Sequence, residues 1–202
     1  AGTQVIRTGT VAGWIGGNEG PSGSIGSVAF VKGPAPTPLG TGSARLIVDS
    51  TGRASLGTLQ FSGTRLDDID ALSFAGYVVG GTTNQLVLTF DVDYDLTDAN
   101  TSYQGRLTWV APAPAPADTW TLFDAMAAGA FFATGAPGNT VCTQASMCTM
   151  PQIIANFPDA GIRAPQGAFV MRLGGPIAGG AVAYVDDVRF GTGTDGVTVA
   201  DF

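Results

Sequence analysis

The chain has 202 residues, of which 45% are hydrophobic and only 12% are charged, about half the usual share of charge. Sixteen acidic residues stand against nine basic ones, and the resulting net charge of -7 argues against nucleic acid and anionic membranes as partners. Histidine is absent and no apolar run approaches the roughly 20 residues of a membrane span, so we expect a soluble protein without a histidine-based active site.

Turn-forming clusters of Gly, Pro and Asn interrupt the chain about every ten residues, and short runs rich in β-branched and aromatic residues lie between them. This pattern is typical of a β-sandwich or barrel. Strands are predicted over residues 3–11, 24–31, 43–49, 54–61, 71–79, 85–95, 103–110, 119–123, 167–173, 181–190 and 196–200. Because the composition does not change along the chain, we expect one domain spanning residues 1–202.

The first and last predicted strands lie at the two ends of the sequence. Thr3, Val5 and Arg7 alternate along the first strand, and Val197 and Val199 along the last. If each strand completed a sheet of a neighbouring subunit, head-to-tail contacts would propagate into a filament. The alternative is an ordinary sandwich in which both strands pair within their own chain.

The clearest alternation of apolar and polar residues lies in residues 85–95 and predicts a half-buried strand. The inward side chains are Leu86, Leu88, Phe90, Val92 and Tyr94. Asp91, Asp93 and Asp95 lie on the outward side, and carboxylates are ligands that Ca²⁺ prefers, so the three are candidate calcium ligands. The alternative is a solvated face that discourages edge pairing.

Two aromatic residues lie close to predicted loops. Tyr103 and Trp120 are candidates for a sugar-stacking platform, with the acidic face of residues 91–98 beside them. The alternative is that they belong to the core, as aromatic residues of a sandwich commonly do. Trp109 shares a face with Leu107 and is predicted to be a core residue.

Two cysteines, Cys142 and Cys148, lie either side of a short loop. They are too few for a zinc site and have the wrong spacing for a Cys-x-x-Cys redox motif. We predict a local disulfide, which indicates an oxidising, extracytoplasmic setting. The alternative is a pair of free thiols in a cytosolic protein.

One short helix is predicted directly after these cysteines. Thr149 and Gln152 have the spacing of a capping box, and Pro151 suits the first turn. The helix is expected to end before Pro158.

Asp186 lies in the predicted strand over residues 181–190. Counted by twos, it shares a side with Val182, Tyr184 and Val188, so a carboxylate is predicted to point into the core. A buried carboxylate needs a partner. That partner is either calcium or a ligand, or else an arginine or backbone amides.

Several landmarks in order resemble a β-sandwich domain of bacterial secreted and surface proteins. They are Val11-Ala12-Gly13-Trp14, Gly33-Pro34, Leu39-Gly40-Thr41-Gly42-Ser43-Ala44, Gly63-Thr64-Arg65-Leu66, residues 142–149 and Tyr184-Val185-Asp186-Asp187-Val188. The chain is also similar in outline to jelly-roll carbohydrate-binding modules, whose last strand often carries a comparable Asp-Asp-Val sequence. The resemblance implies a jelly-roll fold, an extracellular location and a structural calcium near the chain ends.

Taken together, the sequence predicts an all-β protein, a single antiparallel β-sandwich of jelly-roll type with one short helix. The absence of histidine and of a Gly-x-Ser-x-Gly elbow argues against an enzyme. We expect a secreted or cell-surface structural subunit that self-associates into filaments or contacts the extracellular matrix. The alternative is a carbohydrate-binding module for a polysaccharide, with or without calcium as its cofactor.

Overall fold

The computed structural model describes residues 4–6, 13–81 and 85–202. Their strands and helix, in chain order, are β1 (Gln4–Ile6), β2 (Trp14–Asn18), β3 (Gly26–Lys32), β4 (Gly42–Val48), β5 (Arg53–Thr58), β6 (Ile69–Val78), β7 (Leu86–Asp93), β8 (Arg106–Val110), β9 (Thr121–Asp124), β10 (Ala130–Thr134), α1 (Met150–Asn156), β11 (Gly161–Ile162), β12 (Phe169–Gly174), β13 (Ala181–Thr192) and β14 (Gly196–Ala200).

Within these residues the strands form two sheets of seven strands each. In sheet A the long strand β13 pairs with β6 on one side and with β4 and β14 on the other; β9, β3 and β1 lie beyond these. In sheet B the order is β10-β8-β7-β12-β5-β2, and β11 also pairs with β7. Every pairing is antiparallel except that of β1 with β14. The predicted antiparallel sandwich is confirmed.

The core lies between the two sheets, where alternate side chains of both meet. Phe74 of sheet A and Trp109 of sheet B are fully buried and meet edge to face, with ring centroids 6.1 Å apart. Phe169 and Phe190 join the sheets in the same way at 5.4 Å. Burial of each such aromatic side chain contributes about 2 to 3 kcal/mol to the stability of the folded protein through the hydrophobic effect.

The strand β2 was not predicted from the sequence, because Gly16 and Gly17 interrupt its apolar pattern. Gly16 is needed where it lies, since a Cβ there would come 2.6 Å from the Cβ of Val28. The strands β10 and β11 were also missed. The local sequence pattern does not reveal such short strands, because they are stabilised by pairing with β8 and β7.

The predicted disulfide and helix are both present. Cys142 and Cys148 are bonded, with their Cα atoms 5.3 Å apart. The helix α1 follows directly, and the backbone N–H of Thr149 donates to Oε1 of Gln152 at 2.8 Å. None of the helices in the described part of the chain is long and apolar enough to cross a membrane.

The terminal strands pair with each other inside the chain. Val5 lies opposite Val199 in the β1–β14 pair, and β14 continues onto β13. Thr3 and Arg7 lie outside the described residues, and Val197 lies in β14 opposite Gly191. Filament assembly through these strands therefore has no support in the structure.

Candidate functional site

The outward side of sheet B carries the site. Leu56, Leu88, Leu107 and Met171 point into the core, so the residues that alternate with them point away from it. We call this outward side the sheet B face. It is defined by Ile15, Ser55, Thr89, Asp91, Arg106, Thr108, Val170 and Arg172, together with Glu19 at the end of β2.

A groove of about 230 Å³ crosses the sheet B face over β2, β5 and β12. Ile15, Leu59 and Val170 give it apolar walls, and Ser55 and Glu19 add polar groups. A second, more open depression of about 490 Å³ is lined by Tyr103 and Gln104. Concave surfaces with a few placed polar groups are the usual form of a ligand site.

Arg106 is the centre of an ion-pair network on this face. Its Nη1 lies 2.6 Å from Oε2 of Glu19, its Nη2 3.2 Å from Oε1 of Glu19, and its Nε 3.0 Å from Oδ1 of Asp91. Asp91 also accepts a hydrogen bond from the backbone N–H of Ala168 at 3.2 Å. The network fixes a guanidinium and two carboxylates in place.

The pKa values of these groups reflect the network. Burial alone would raise the pKa of Glu19, but the hydrogen bonds and charge of Arg106 outweigh it and the pKa lies below its usual value. Burial alone would lower the pKa of Arg106, and here the hydrogen bonds and charges of Glu19 and Asp91 raise it instead. Glu19 and Arg106 are therefore both ionised at neutral pH.

The prediction that β7 is half buried is wrong, because its outward side is covered as well. Asp91 is 7% exposed and Asp93 3%, and Thr89 is fully buried. The strand lies between β8 and β12, and side chains from neighbouring strands close over it. Thr89 donates from Oγ1 to the carbonyl of Leu107 at 2.9 Å.

Nε of Arg172 is buried on the sheet B face without a hydrogen-bond partner among the described residues. Oγ of Ser55, on the paired residue of β5, is also buried, and its hydroxyl group helps to lower the pKa of Glu19. Burial lowers the pKa of Arg172, and the charges of Arg106 and Arg53 lower it further, while Glu19 and Tyr103 act in the opposite direction. Unpaired buried polar groups are rare in folded proteins.

Glu19, Arg106 and Arg172 were not predicted from the sequence as site residues. Arg172 could have been noticed as a charged residue in the apolar run Phe169-Val170-Met171-Arg172-Leu173. The run does not show which strands lie on either side of it. The ion pair between Glu19 and Arg106 joins residues 87 apart in sequence, so no local pattern predicts it.

The two candidate platform residues are not brought together. Tyr103 is 57% exposed beside sheet B, and the guanidinium of Arg163 lies 5.9 Å from its ring centroid. Trp120 belongs to sheet A, where it packs on Tyr77 with ring centroids 5.5 Å apart and donates from Nε1 to the carbonyl of Pro34 at 2.9 Å. Tyr103 is thus the one with an exposed ring, and it lines the more open depression.

The candidate calcium ligands are also separated. Asp186 lies in sheet A, whereas Asp91 and Asp93 lie in β7 of sheet B and Asp95 follows that strand. Asp93 accepts from Nε2 of Gln104 at 2.9 Å, and Asp95 accepts from the backbone N–H of Thr97 at 2.9 Å. The described residues contain no group of three or more acidic or cysteine side chains placed to hold a metal. Calcium binding by any of them stays a prediction.

The prediction that Asp186 points into the core is wrong. Val185 is fully buried in the core and so is Val188, which is possible because a bulge lies between them. Asp187 has a φ of 47° and shifts the alternation by one residue. Asp186 therefore lies on the outward side of sheet A, next to Tyr184.

Asp186 is nevertheless fully buried, because the chain around Leu39 and the C-terminal Phe202 cover it. Its Oδ2 accepts from the N–H of Leu39 at 2.9 Å and its Oδ1 from the N–H of Phe202 at 3.4 Å. Burial raises its pKa above the usual range, the carboxylate of Asp201 adds to this, and the backbone N–H groups oppose it. The residue ties a loop and the C-terminus to β13.

Comparison with known proteins finds similarity in the fold. A family 11 carbohydrate-binding module from Clostridium thermocellum, solved in complex with a β-1,3-1,4-mixed-linked tetrasaccharide, aligns over 91% of this chain and 93% of that chain, with 12% identity and a TM-score of 0.50. The family 11 module of the cellulosomal cellulase Lic26A-Cel5E of Clostridium thermocellum aligns over 97% of this chain and 92% of that chain, with 12% identity and a TM-score of 0.49. No family model and no curated protein matches the sequence. The fold is thus a jelly-roll β-sandwich, as the resemblance implied.

Proposed function

We propose that this protein is a carbohydrate-binding module that holds a polysaccharide on the sheet B face. One observation carries the proposal: Nε of Arg172 is buried without a partner among the described residues, beside a groove that has apolar walls and Ser55 in its lining. A sugar ring offers what such a site lacks, since its hydroxyl groups donate and accept hydrogen bonds while its C–H faces pack on apolar side chains. The likeness in fold to a module solved with a tetrasaccharide supports this function over filament assembly.

Each residue of the face has a distinct part in this proposal. Glu19 and Asp91 hold Arg106 rigidly, so that the face is ordered before the ligand arrives. Ser55 and Arg172 supply hydrogen bonds to hydroxyl groups. Tyr103, which keeps an exposed ring, stacks on a sugar unit at the margin of the face.

The location follows from the same proposal. Polysaccharides of the kind that a sandwich module binds lie outside the cell, and the disulfide between Cys142 and Cys148 is stable in an oxidising compartment. We therefore place the protein outside the cytoplasm. It binds its ligand without chemical change in this proposal.

Affinity electrophoresis against a panel of soluble polysaccharides, followed by calorimetry on those that retard the protein, tests the proposal. We expect retardation by at least one polysaccharide and weaker binding by Tyr103→Ala and Ser55→Ala. Tyr184→Ala is the matched control, because it removes the same side chain from the outward side of sheet A. No retardation across the panel, or an equal loss in Tyr184→Ala, would contradict the proposal.

A further inference from the structure

The charges on the sheet B face are unevenly matched. Arg106 contacts two carboxylates, those of Glu19 and Asp91. Arg53 and Arg172 form no ion pair with any described residue. Other arginines also form no ion pair with a described residue, Arg45 on sheet A among them, but Arg53 and Arg172 lie together on the face that carries the groove.

Arg53 and Arg172 lie on neighbouring strands and point the same way. Arg172 is opposite Ser55 in the β5–β12 pair, and Arg53 is two residues before Ser55 on the outward side. Diagonal neighbours of this kind are about 7 to 8 Å apart at the backbone, within reach of long side chains. Burial and the charge of Arg106 lower the pKa of Arg172 most, and the charge of Arg53 lowers it further.

Two neighbouring arginines that form no ion pair with a described residue are unfavourable in the free protein. An anionic ligand would reduce this cost. Burial of a charged Nε without a partner costs free energy, and a second cation nearby adds to that cost. A carboxylate or sulfate ester offers two oxygens that match the planar fork of an arginine, and its negative charge offsets one of the two positive charges and weakens their mutual repulsion. Neutral hydroxyl groups alone would leave the two charges unmatched.

We propose that the polysaccharide bound by the sheet B face is acidic and that Arg172, supported by Arg53, binds its carboxylate or sulfate group. This inference rests on the proposed carbohydrate-binding function and narrows its ligand class. Ser55 lies beside Arg172 and donates to the same anionic group or to an adjacent hydroxyl.

The test compares ligands that differ only in charge. Calorimetry measures binding of polygalacturonate and of its fully methyl-esterified form, and of dextran sulfate and dextran, at low and at moderate salt. We expect one acidic member to bind about tenfold or more tightly than its neutral counterpart, with affinity falling as salt rises. The pair that shows the difference distinguishes a carboxylate from a sulfate.

Variants then assign the effect to Arg172. Arg172→Gln is expected to lose about tenfold in affinity for the acidic ligand and Arg172→Lys less, because lysine keeps the charge but not the fork. Arg45→Gln is the matched control: it makes the same charge change, and Nε of Arg45 is also buried without a partner, but it lies on sheet A. Arg172→Gln is expected to unfold at the same temperature as the parent protein or at a higher one, because it removes a buried charge that forms no ion pair with any described residue.

The outcomes separate this inference from the proposed function. Equal affinity for the acidic and neutral members of both pairs, or unchanged binding by Arg172→Gln, overturns the acidic ligand and leaves carbohydrate binding standing. Equally tight binding of poly-glutamate overturns it too, since that would be attraction to charge alone. Failure of every polysaccharide to bind overturns both.

Discussion

Glu19 and Arg106 are joined by two hydrogen bonds, of 2.6 and 3.2 Å, although their strands are not neighbours in sheet B. Glu19 follows β2 at one edge and Arg106 begins β8, with β5, β12 and β7 between them. The ion pair therefore spans the face that we propose as the binding site. Because side chains rather than backbone make this link, its contribution depends on the charge of Glu19.

We predict that Glu19→Gln lowers the free energy of unfolding by about 1 kcal/mol at pH 7, the scale of a partly exposed ion pair. The folded-state pKa of Glu19 lies below its usual value of 4.5, so its contribution is present above that value and is lost as pH falls through the lowered pKa. Urea unfolding of both proteins between pH 3 and 7 measures this. Asp67→Asn, which breaks the more exposed pair with Arg65, is expected to change stability less.

If the two proteins differed in stability equally at pH 3 and pH 7, the ion pair would not be the cause of the loss. The same variant is also expected to weaken polysaccharide binding. The reason is that Arg106 would then be held by Asp91 alone and would be less well ordered before the ligand arrives.

Reduction of the disulfide is predicted to destabilise the protein by about 2 kcal/mol, as the chain-entropy model gives for a short loop. The loop it closes is hydrogen-bonded to β10, since the N–H of Ala133 donates to the carbonyl of Cys142 and the N–H of Phe131 to that of Cys148. Thermal unfolding with and without a reductant measures the effect. The double variant Cys142→Ser, Cys148→Ser should unfold like the reduced protein and should not respond to the reductant.

Trp120→Ala is predicted to lower stability by about 2 kcal/mol without changing polysaccharide binding. The variant loses the ring contact with Tyr77 and the hydrogen bond to Pro34, both on sheet A. Trp120→Phe keeps most of the ring contact and should lose about half as much. Denaturant unfolding and calorimetry of both variants test this, and a clear loss of affinity in Trp120→Phe would mean that sheet A takes part in binding.

Local alternation was enough to predict which side of several strands faces the core. Leu86, Leu88 and Phe90 are buried as expected, because a buried strand face leaves a period of two in the sequence. What covers the other side was not predictable in the same way. Asp91 is buried by Arg106 and by the backbone of Ala168, and only the strand order brings these together.

Asp186 shows a second reason why the direction of a side chain could not be predicted from the sequence. A period of two assigns a face correctly only while the strand is regular, and a bulge of one residue reverses it. Asp187 adopts a positive φ, which aspartate tolerates better than most residues, but its presence alone does not announce a bulge. The need of Asp186 for a partner was predicted correctly, and backbone N–H groups were one of the alternatives.

The buried carboxylate of Asp186 is expected to change the stability of the protein with pH in the opposite direction to Glu19. Its folded-state pKa is raised by burial, so the folded protein binds a proton more readily than the unfolded chain does. As pH rises from the usual pKa of 3.8 to the raised pKa of Asp186, this carboxyl group makes the protein progressively less stable. The loss of stability remains at higher pH.

We therefore predict that the stability of Asp186→Asn relative to the parent protein increases as pH is raised from 3 to 7. Asparagine keeps an oxygen that can accept the N–H of Leu39 and carries no charge to bury. Denaturant unfolding of both proteins across this range measures the difference. Asp187→Asn is a useful control, because it makes the same change at the next residue, where the carboxylate is paired with Arg189 at 2.8 Å. A difference between Asp186→Asn and the parent that stayed constant with pH would mean that the carboxylate of Asp186 is not the buried acid that the structure describes.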